Sequence, residues 1–259
     1  MSPIISIIKL ALYKIKIMKK LHIIALVLFL GITVAQAQKT ITYESKDGIS
    51  ITGDLYEKEG ATKFILLFHQ ARWSRGEYLE IAPKLNAMGY SCLAVDLRSG
   101  KKVNGIINQT NKAAKNKGKD TGFTDAFQDI EASVAYVKKS FNPEKLIVWG
   151  SSYSSALVLK YGGDYPDSAD AILSFAPGEY FGSDNFIKKS AKNIEIPVFI
   201  TSAKNEYKNW KGIYEAIPTN SKQYYLPKTR GNHGSRALWE KFSDNSGYWD
   251  AVKGFLKTI

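Results

Sequence analysis

A serine can attack a carbonyl only if something takes its proton and its hydroxyl stands clear of the backbone. The pentapeptide Gly150-Ser151-Ser152-Tyr153-Ser154 offers such a hydroxyl. It follows an apolar run, Leu146–Trp149, and precedes a helical pattern over Ser154–Tyr161. A serine on a sharp strand-to-helix turn projects from the end of a sheet, and the residues two before and two after it must be small. Gly150 and Ser154 satisfy that requirement, with Ser154 standing where a second glycine is usual. The helix N-terminus beneath Ser152 favours developing negative charge. Serine is also a preferred helix cap, so the pentapeptide by itself fits an ordinary helix start.

Three histidines exist in the 259 residues: His22, His69 and His233. His22 lies in an N-terminal apolar run. His69 precedes the serine and ends a strand. His233 follows it, in a polar loop, Lys228–Ser235, that contains Gly231 and Gly234. An imidazole on such a loop can swing over a serine as general base and then protonate a leaving group. The single cysteine, Cys92, excludes an intramolecular disulfide and a multi-cysteine zinc site, and its apolar flanks predict a buried, inert thiol. No metal cluster, phosphate loop or dinucleotide glycine motif is apparent in the sequence.

The elements that must hold these residues alternate. Thr40–Glu44 and Ile49–Tyr56 read as an antiparallel hairpin around Lys46-Asp47-Gly48. Lys63–Phe68 and Tyr90–Leu97 are continuous apolar runs, as expected of strands buried on both faces. Gly76–Met88 and Asp125–Ser140 carry apolar residues at helical spacing. Further strands are expected at Ala171–Phe175, Val198–Ser202 and Gln223–Pro227, and helices at Tyr207–Ile217 and Gly247–Leu256. Between them, 100–122 reads as a long irregular insertion, expected to form a mobile flap beside the pocket mouth. Strands alternating with helices predict an α/β fold: a mostly parallel twisted sheet covered by helices on both faces, with an N-terminal antiparallel hairpin.

The N-terminus has its own signal. Met18-Lys19-Lys20, the apolar run Leu21–Val34 and Ala35-Gln36-Ala37 follow the order of a secretory signal peptide, with cleavage after Ala37. Residues 1–17 read as an upstream extension before Met18. Residues 38–259 are then expected to be one domain, secreted or periplasmic, with no stable membrane insertion. The sequence carries a net charge of +12, and the leader holds five lysines and no acid, so its removal leaves +7. Six lysines fall between Lys101 and Lys119 with no acid among them. The excess charge is therefore local, which argues against a nucleic-acid surface and for a solvated lysine-rich segment.

The elbow, Phe68-His69-Gln70-Ala71, Asp96-Leu97-Arg98-Ser99-Gly100 and Gly231-Asn232-His233-Gly234-Ser235 together resemble the α/β-hydrolase superfamily, and within it the small dienelactone-hydrolase-like serine esterases and peptidases. The resemblance spans essentially all of 40–259. It implies the α/β-hydrolase fold and a Ser–acid–His triad in that chain order, working without cofactor or metal, with Ser152 as nucleophile and His233 as base. It places the acid after the strand Val198–Ser202, where Glu206 is the loop's only carboxylate. Asn205 can orient an imidazole there but not neutralise it, and Glu179 and Asp184 are the alternatives one strand earlier. It places the oxyanion donors at the N–H of Tyr153 and of Ala71, with Gln70 the alternative to Ala71. His69 then supports that loop, while Arg72, Trp73 and Tyr153 border the pocket. Asp96 and Arg98 form a structural D-x-R pair.

Two functions compete on this reading. One is a secreted serine hydrolase cleaving a small-molecule or carbohydrate-linked ester, or an amide, through an acyl-enzyme. The other is a non-catalytic binding module of the same fold, for which the lysine-rich segment suggests an anionic polymer as partner.

Overall fold

The computed structural model describes Lys16 and residues 38–259; the signal-peptide expectation lies outside the described residues. In chain order the strands are β1 (Lys39–Glu44), β2 (Ser50–Tyr56), β3 (Lys63–Phe68), β4 (Ser91–Val95), β5 (Lys102–Val103), β6 (Ile106–Ile107), β7 (Lys145–Ser151), β8 (Ala171–Phe175), β9 (Val198–Thr201) and β10 (Lys222–Tyr225). The α-helices are α1 (Ile81–Ala87), α2 (Gln109–Asn116), α3 (Phe127–Phe141), α4 (Tyr153–Asp164), α5 (Phe186–Ala191), α6 (Tyr207–Ala216) and α7 (Asn245–Leu256).

Eight strands form one sheet in the order β1-β2-β4-β3-β7-β8-β9-β10. β1 pairs antiparallel with β2, and β2 antiparallel with β4; every later pairing in the sheet is parallel. Successive side chains of a strand point to opposite faces, so a strand covered on both sides reads as an unbroken apolar run. β3 shows this directly. Leu66 and Phe68 join one core with residues of α3 to α6, while Ile65 and Leu67 join a second core with residues of α1 and α7. Cys92 is fully buried in the second core, and burial pushes its thiol far above the ordinary range. No helix among the described residues is long and apolar enough to cross a membrane.

Two expectations need correction. The helix expected over 76–88 is broken: a 3-10 turn, Arg75–Tyr78, precedes α1. Ser74 caps the turn through Gly76 N–H, and the Asp96 carboxylate takes both the Arg75 N–H and its guanidinium at 2.7 Å. These bonds hold the segment against β4 instead of letting it continue as one helix. The insertion is not irregular either. It folds as the β5–β6 hairpin and then α2. Asn104-Gly105 turns the hairpin with φ of 48° and 80°, a signal that the charge-rich composition obscured. The segment is tied down rather than free. Lys101 and Lys102 N–H donate to the carbonyls of Trp73 and Arg72, and Ser74 Oγ donates to Ile106 O. α5 was not expected at all; its six residues are too few for a periodic pattern.

Candidate active site

Ser152 sits between β7 and α4 with φ 59° and ψ −123°, a backbone conformation that non-glycine residues rarely adopt. Such strain persists only where the surroundings over-determine it. Here they do. Ser152 N–H donates to Phe175 O on the neighbouring strand at 2.7 Å, and its carbonyl accepts from the N–H groups of Ser155 and Ala156. The turn is closed by Ser154, whose Oγ accepts the Ser151 N–H at 2.9 Å and lies 2.8 Å from Phe68 O. A Cβ at position 150 would stand 2.4 Å from the Ser154 carbonyl oxygen, which is why Gly150 is glycine. The Ser152 side chain ends at the C-terminal edge of the parallel sheet, where open α/β sheets bind ligands.

Glu206 and His233 arrive at the same edge from two loops, one after β9 and one after β10. His233 Nδ1 lies 2.5 Å from Glu206 Oε1. The carboxylate can only accept, so Nδ1 carries the proton and Nε2 is left as an acceptor. The other Glu206 oxygen accepts the Ala203 N–H at 3.1 Å, which fixes the carboxylate plane. Both side chains are partly exposed. The next residues of the histidine loop reach the elbow itself. Ser235 N–H donates to Ser151 Oγ at 2.8 Å, and Gly234 has φ 71°. A Cβ on Gly234 would meet Ser151 Oγ at 2.5 Å, so only glycine lets the loop come this close. Among the described residues no hydrogen bond joins Ser152 Oγ to His233. Such bonds are often long without substrate and tighten when it docks. A polar concavity of about 360 Å³ lies beside the pair, lined by Glu206, His233, Arg230 and Arg236 among others.

The loop after β3 brings backbone donors. Gln70 N–H is committed to Glu77 Oε2 at 2.7 Å, whereas the N–H groups of Ala71 and Tyr153 have no hydrogen-bond partner among the described residues. His69 is buried beneath this loop. Its Nε2 accepts the Leu97 N–H at 3.0 Å, so Nδ1 carries the proton and donates to Gln70 O at 2.8 Å. Burial lowers its imidazole to about 4, so it stays neutral across the ordinary pH range. Trp73 stacks on Trp239 at 5.2 Å, and Arg72 is exposed.

Glu179 accepts the N–H groups of Ile187 and Lys188 at the start of α5, and Asp184 is exposed. Asn205 is exposed as well. Asp96 and Arg98 are buried but not paired with each other. Asp96 holds Arg75, and Arg98 bridges Asp129 and Asp47. Tyr153 is buried, its hydroxyl donates to Ser99 O, and the half-exposed Phe123 stacks on it at 4.7 Å. Two neighbours went unnoticed in the sequence. Tyr180 lies against Ser152 and faces the Glu206 charge, and its hydroxyl donates to Ala176 O at 2.8 Å. Glu77 is fully buried behind the elbow. Neither stands in a motif. No group of three or more His, Cys, Asp or Glu able to hold a metal ion is present among the described residues.

The Hydrolase_4 family model, described as serine aminopeptidase, S33, matches residues 60–195, a segment that contains the elbow but neither Glu206 nor His233. No curated protein matches the sequence. Among solved structures, the esterase Pf2001 of Pyrococcus furiosus is similar with a TM-score of 0.69 and 18% identity, covering 86% of this chain and 93% of its own. Dienelactone hydrolase from Anabaena variabilis follows at 0.68 and 13%, covering 86% and 98%. Est1E from Butyrivibrio proteoclasticus, solved with ferulic acid bound, gives 0.65 and 15%, covering 84% and 98%. At such identities the likeness is one of fold, and the family match over more than half of the chain adds the lineage. The chain therefore belongs to the Hydrolase_4 family, has the α/β-hydrolase fold in its dienelactone-hydrolase-like form, and is a hydrolase.

Proposed function

We propose that the chain is a serine hydrolase that cleaves carboxylic esters through an acyl-enzyme, acting outside the cytoplasm after removal of residues 1–37. The observation that carries this reading is the 2.5 Å contact between His233 Nδ1 and Glu206 Oε1 on loops that converge on the Ser152 elbow. With Nδ1 protonated, Nε2 takes the Ser152 proton as Oγ bonds to the ester carbonyl carbon. The carbonyl oxygen becomes an oxyanion, which the free N–H groups of Ala71 and Tyr153 can receive. Glu206 faces the imidazolium formed at that moment and stabilises its charge. The imidazolium then returns the proton to the departing alkoxide, and the C–O bond breaks. Water repeats the sequence in reverse: His233 takes its proton, hydroxide adds to the acyl carbon, and Ser152 leaves with a proton.

The esterases among the structural neighbours support an ester as substrate. The family's description as a serine aminopeptidase supports an amide as the second reading. The test is a panel of chromogenic esters of increasing acyl length, acetylated sugars and aminoacyl anilides, run on wild type, Ser152→Ala and Glu206→Gln. Ser152→Ala should lower kcat by on the order of 10³-fold or more, with loss of fluorophosphonate labelling. Glu206→Gln should fold normally and lose most activity. Full activity in Ser152→Ala, with or without loss in Ser151→Ala, would overturn the nucleophile. Mass spectrometry of protein recovered from outside the cytoplasm should give an N-terminus at Gln38; an intact leader there would overturn the export reading.

A further inference from the structure

Glu77 is fully buried, and no cation pairs with it among the described residues. Burial pushes its carboxyl up to about 7, with the hydrogen bonds from Ser151 and the Gln70 N–H, and then His233 and Arg236, pulling the other way. A carboxyl kept in such surroundings costs stability, and its contacts are specific. Oε2 accepts the Gln70 N–H at 2.7 Å, and Oε1 accepts from Ser151 Oγ at 2.7 Å. The ionised carboxylate can only accept, so Ser151 Oγ is the donor to it, and the same oxygen accepts the Ser235 N–H at 2.8 Å. One carboxylate thus ties the loop after β3, the residue before Ser152, and, through one hydroxyl, the loop that carries His233. The carbonyl of the same residue accepts from Trp239 Nε1 at 2.9 Å, which secures the far end of that histidine loop.

We propose that Glu77 is a positioning residue for hydrolysis, setting the oxyanion donors, the nucleophile and the base in register with one another through Gln70, Ser151 and Ser235. The proposal rests on the Ser152–His233–Glu206 reading. Because Gln70 N–H is held by Glu77, the peptide that follows it presents Ala71 N–H to the edge of the sheet. Because Ser151 Oγ is bonded on both sides, a small shift of the histidine loop within the folded state is felt at the elbow. Displacements of about 1 Å in such an arrangement cost on the order of 10²-fold in rate. A residue acting in this way lowers kcat while leaving the affinity for substrate nearly untouched, since the groups that bind the substrate's remainder lie elsewhere.

The test uses the full chain and a neutral chromogenic ester that wild type hydrolyses. Glu77→Gln keeps the shape; the Gln70 N–H can only donate and claims the amide oxygen, so the N–H₂ faces Ser151 Oγ and breaks the link there. Ser151→Ala removes the link from the other side with one atom lost. Each variant should lose 10- to 100-fold in kcat with KM within about threefold of wild type. The double variant should be no worse than the poorer single, because both cut the same connection. Losses that multiply in the double variant, or a wild-type kcat in a folded Ser151→Ala, would overturn the proposal. If Glu77→Gln does not fold, Ser151→Ala decides alone. Ser152→Ala separates the two levels: its inactivity beside an unaffected Ser151→Ala removes Glu77's role and leaves the triad, whereas its activity removes both.

Discussion

His69 shows how one residue type serves two purposes in this chain. His233 meets a carboxylate and remains partly exposed; His69 meets a backbone N–H and a carbonyl and is buried. Its imidazole ionises near 4 in the folded chain against 6.5 in the open one. Between those values the unfolded chain binds a proton that the native one refuses, so this residue makes stability rise with pH from 4 to 6.5. Its contribution is fully present above 6.5 and is lost on acidification, by on the order of 3 kcal/mol across the window. Glu77, Asp96 and Asp129, whose carboxyls are raised by burial, act in the opposite sense, so the whole protein's profile is a sum. The comparison that isolates His69 is with His69→Asn, whose amide can still donate to Gln70 O. The gap in Tm between wild type and this variant should be widest near neutral pH and close as pH falls toward 4. A gap of constant size would show that His69 does not titrate in this range.

At the scale of elements, Asn108 decides whether the lysine-rich segment is a brace or a tether. Its Oδ1 caps α2 by accepting the Asn111 N–H at 2.8 Å. Its Nδ2 donates to Leu97 O at 2.8 Å and reaches Trp73 O and His69 Nε2. Aspartate is as good a helix cap as asparagine but has no N–H to give. Asn108→Asp should therefore lower the unfolding free energy measured by denaturant titration at least as far as Asn108→Ala, each by about 1–3 kcal/mol. If the aspartate variant matches wild type, capping is all that Asn108 does. This element marks a limit of sequence reading. β3, β7 and β8 were legible because burial on both faces writes itself as an apolar run. The elbow was legible because Gly150 and Ser154 must be small at fixed offsets from Ser152. Glu206 and His233 could be named because each is the sole residue of its kind in its loop. Glu77 and Asn108 could not, because their meaning comes from partners 7 to 74 and 3 to 39 positions away. The stacking of Phe123 on Tyr153 is illegible for the same reason: the two stand 30 positions apart.

Across the molecule, the residues proposed for the chemistry are unequally supported. Ser152 directly follows β7, which has neighbours on both sides, β3 and β8. His233 follows β10, a four-residue strand at the end of the sheet that pairs only with β9, with Tyr224 half exposed on it. Backbone amides of an edge strand open by local fluctuation at far lower free energy than those in the centre of a sheet. The base is thus carried by the part of the protein that frays first, and the nucleophile by the part that frays last. Hydrogen–deuterium exchange should be fast over 222–231, slowed where Tyr248 Oη accepts from Asn232 N–H and where Ser151 Oγ accepts from Ser235 N–H, and slowest in β3 and β7. In a urea titration, ester hydrolysis should then vanish at a lower concentration than the fluorescence of a variant that keeps Trp149, buried in the centre, as its one tryptophan. Coincident transitions would show that the edge and the centre unfold as one. If they separate, loss of activity in this hydrolase reports a small, reversible opening at one border of the sheet while its interior stays folded.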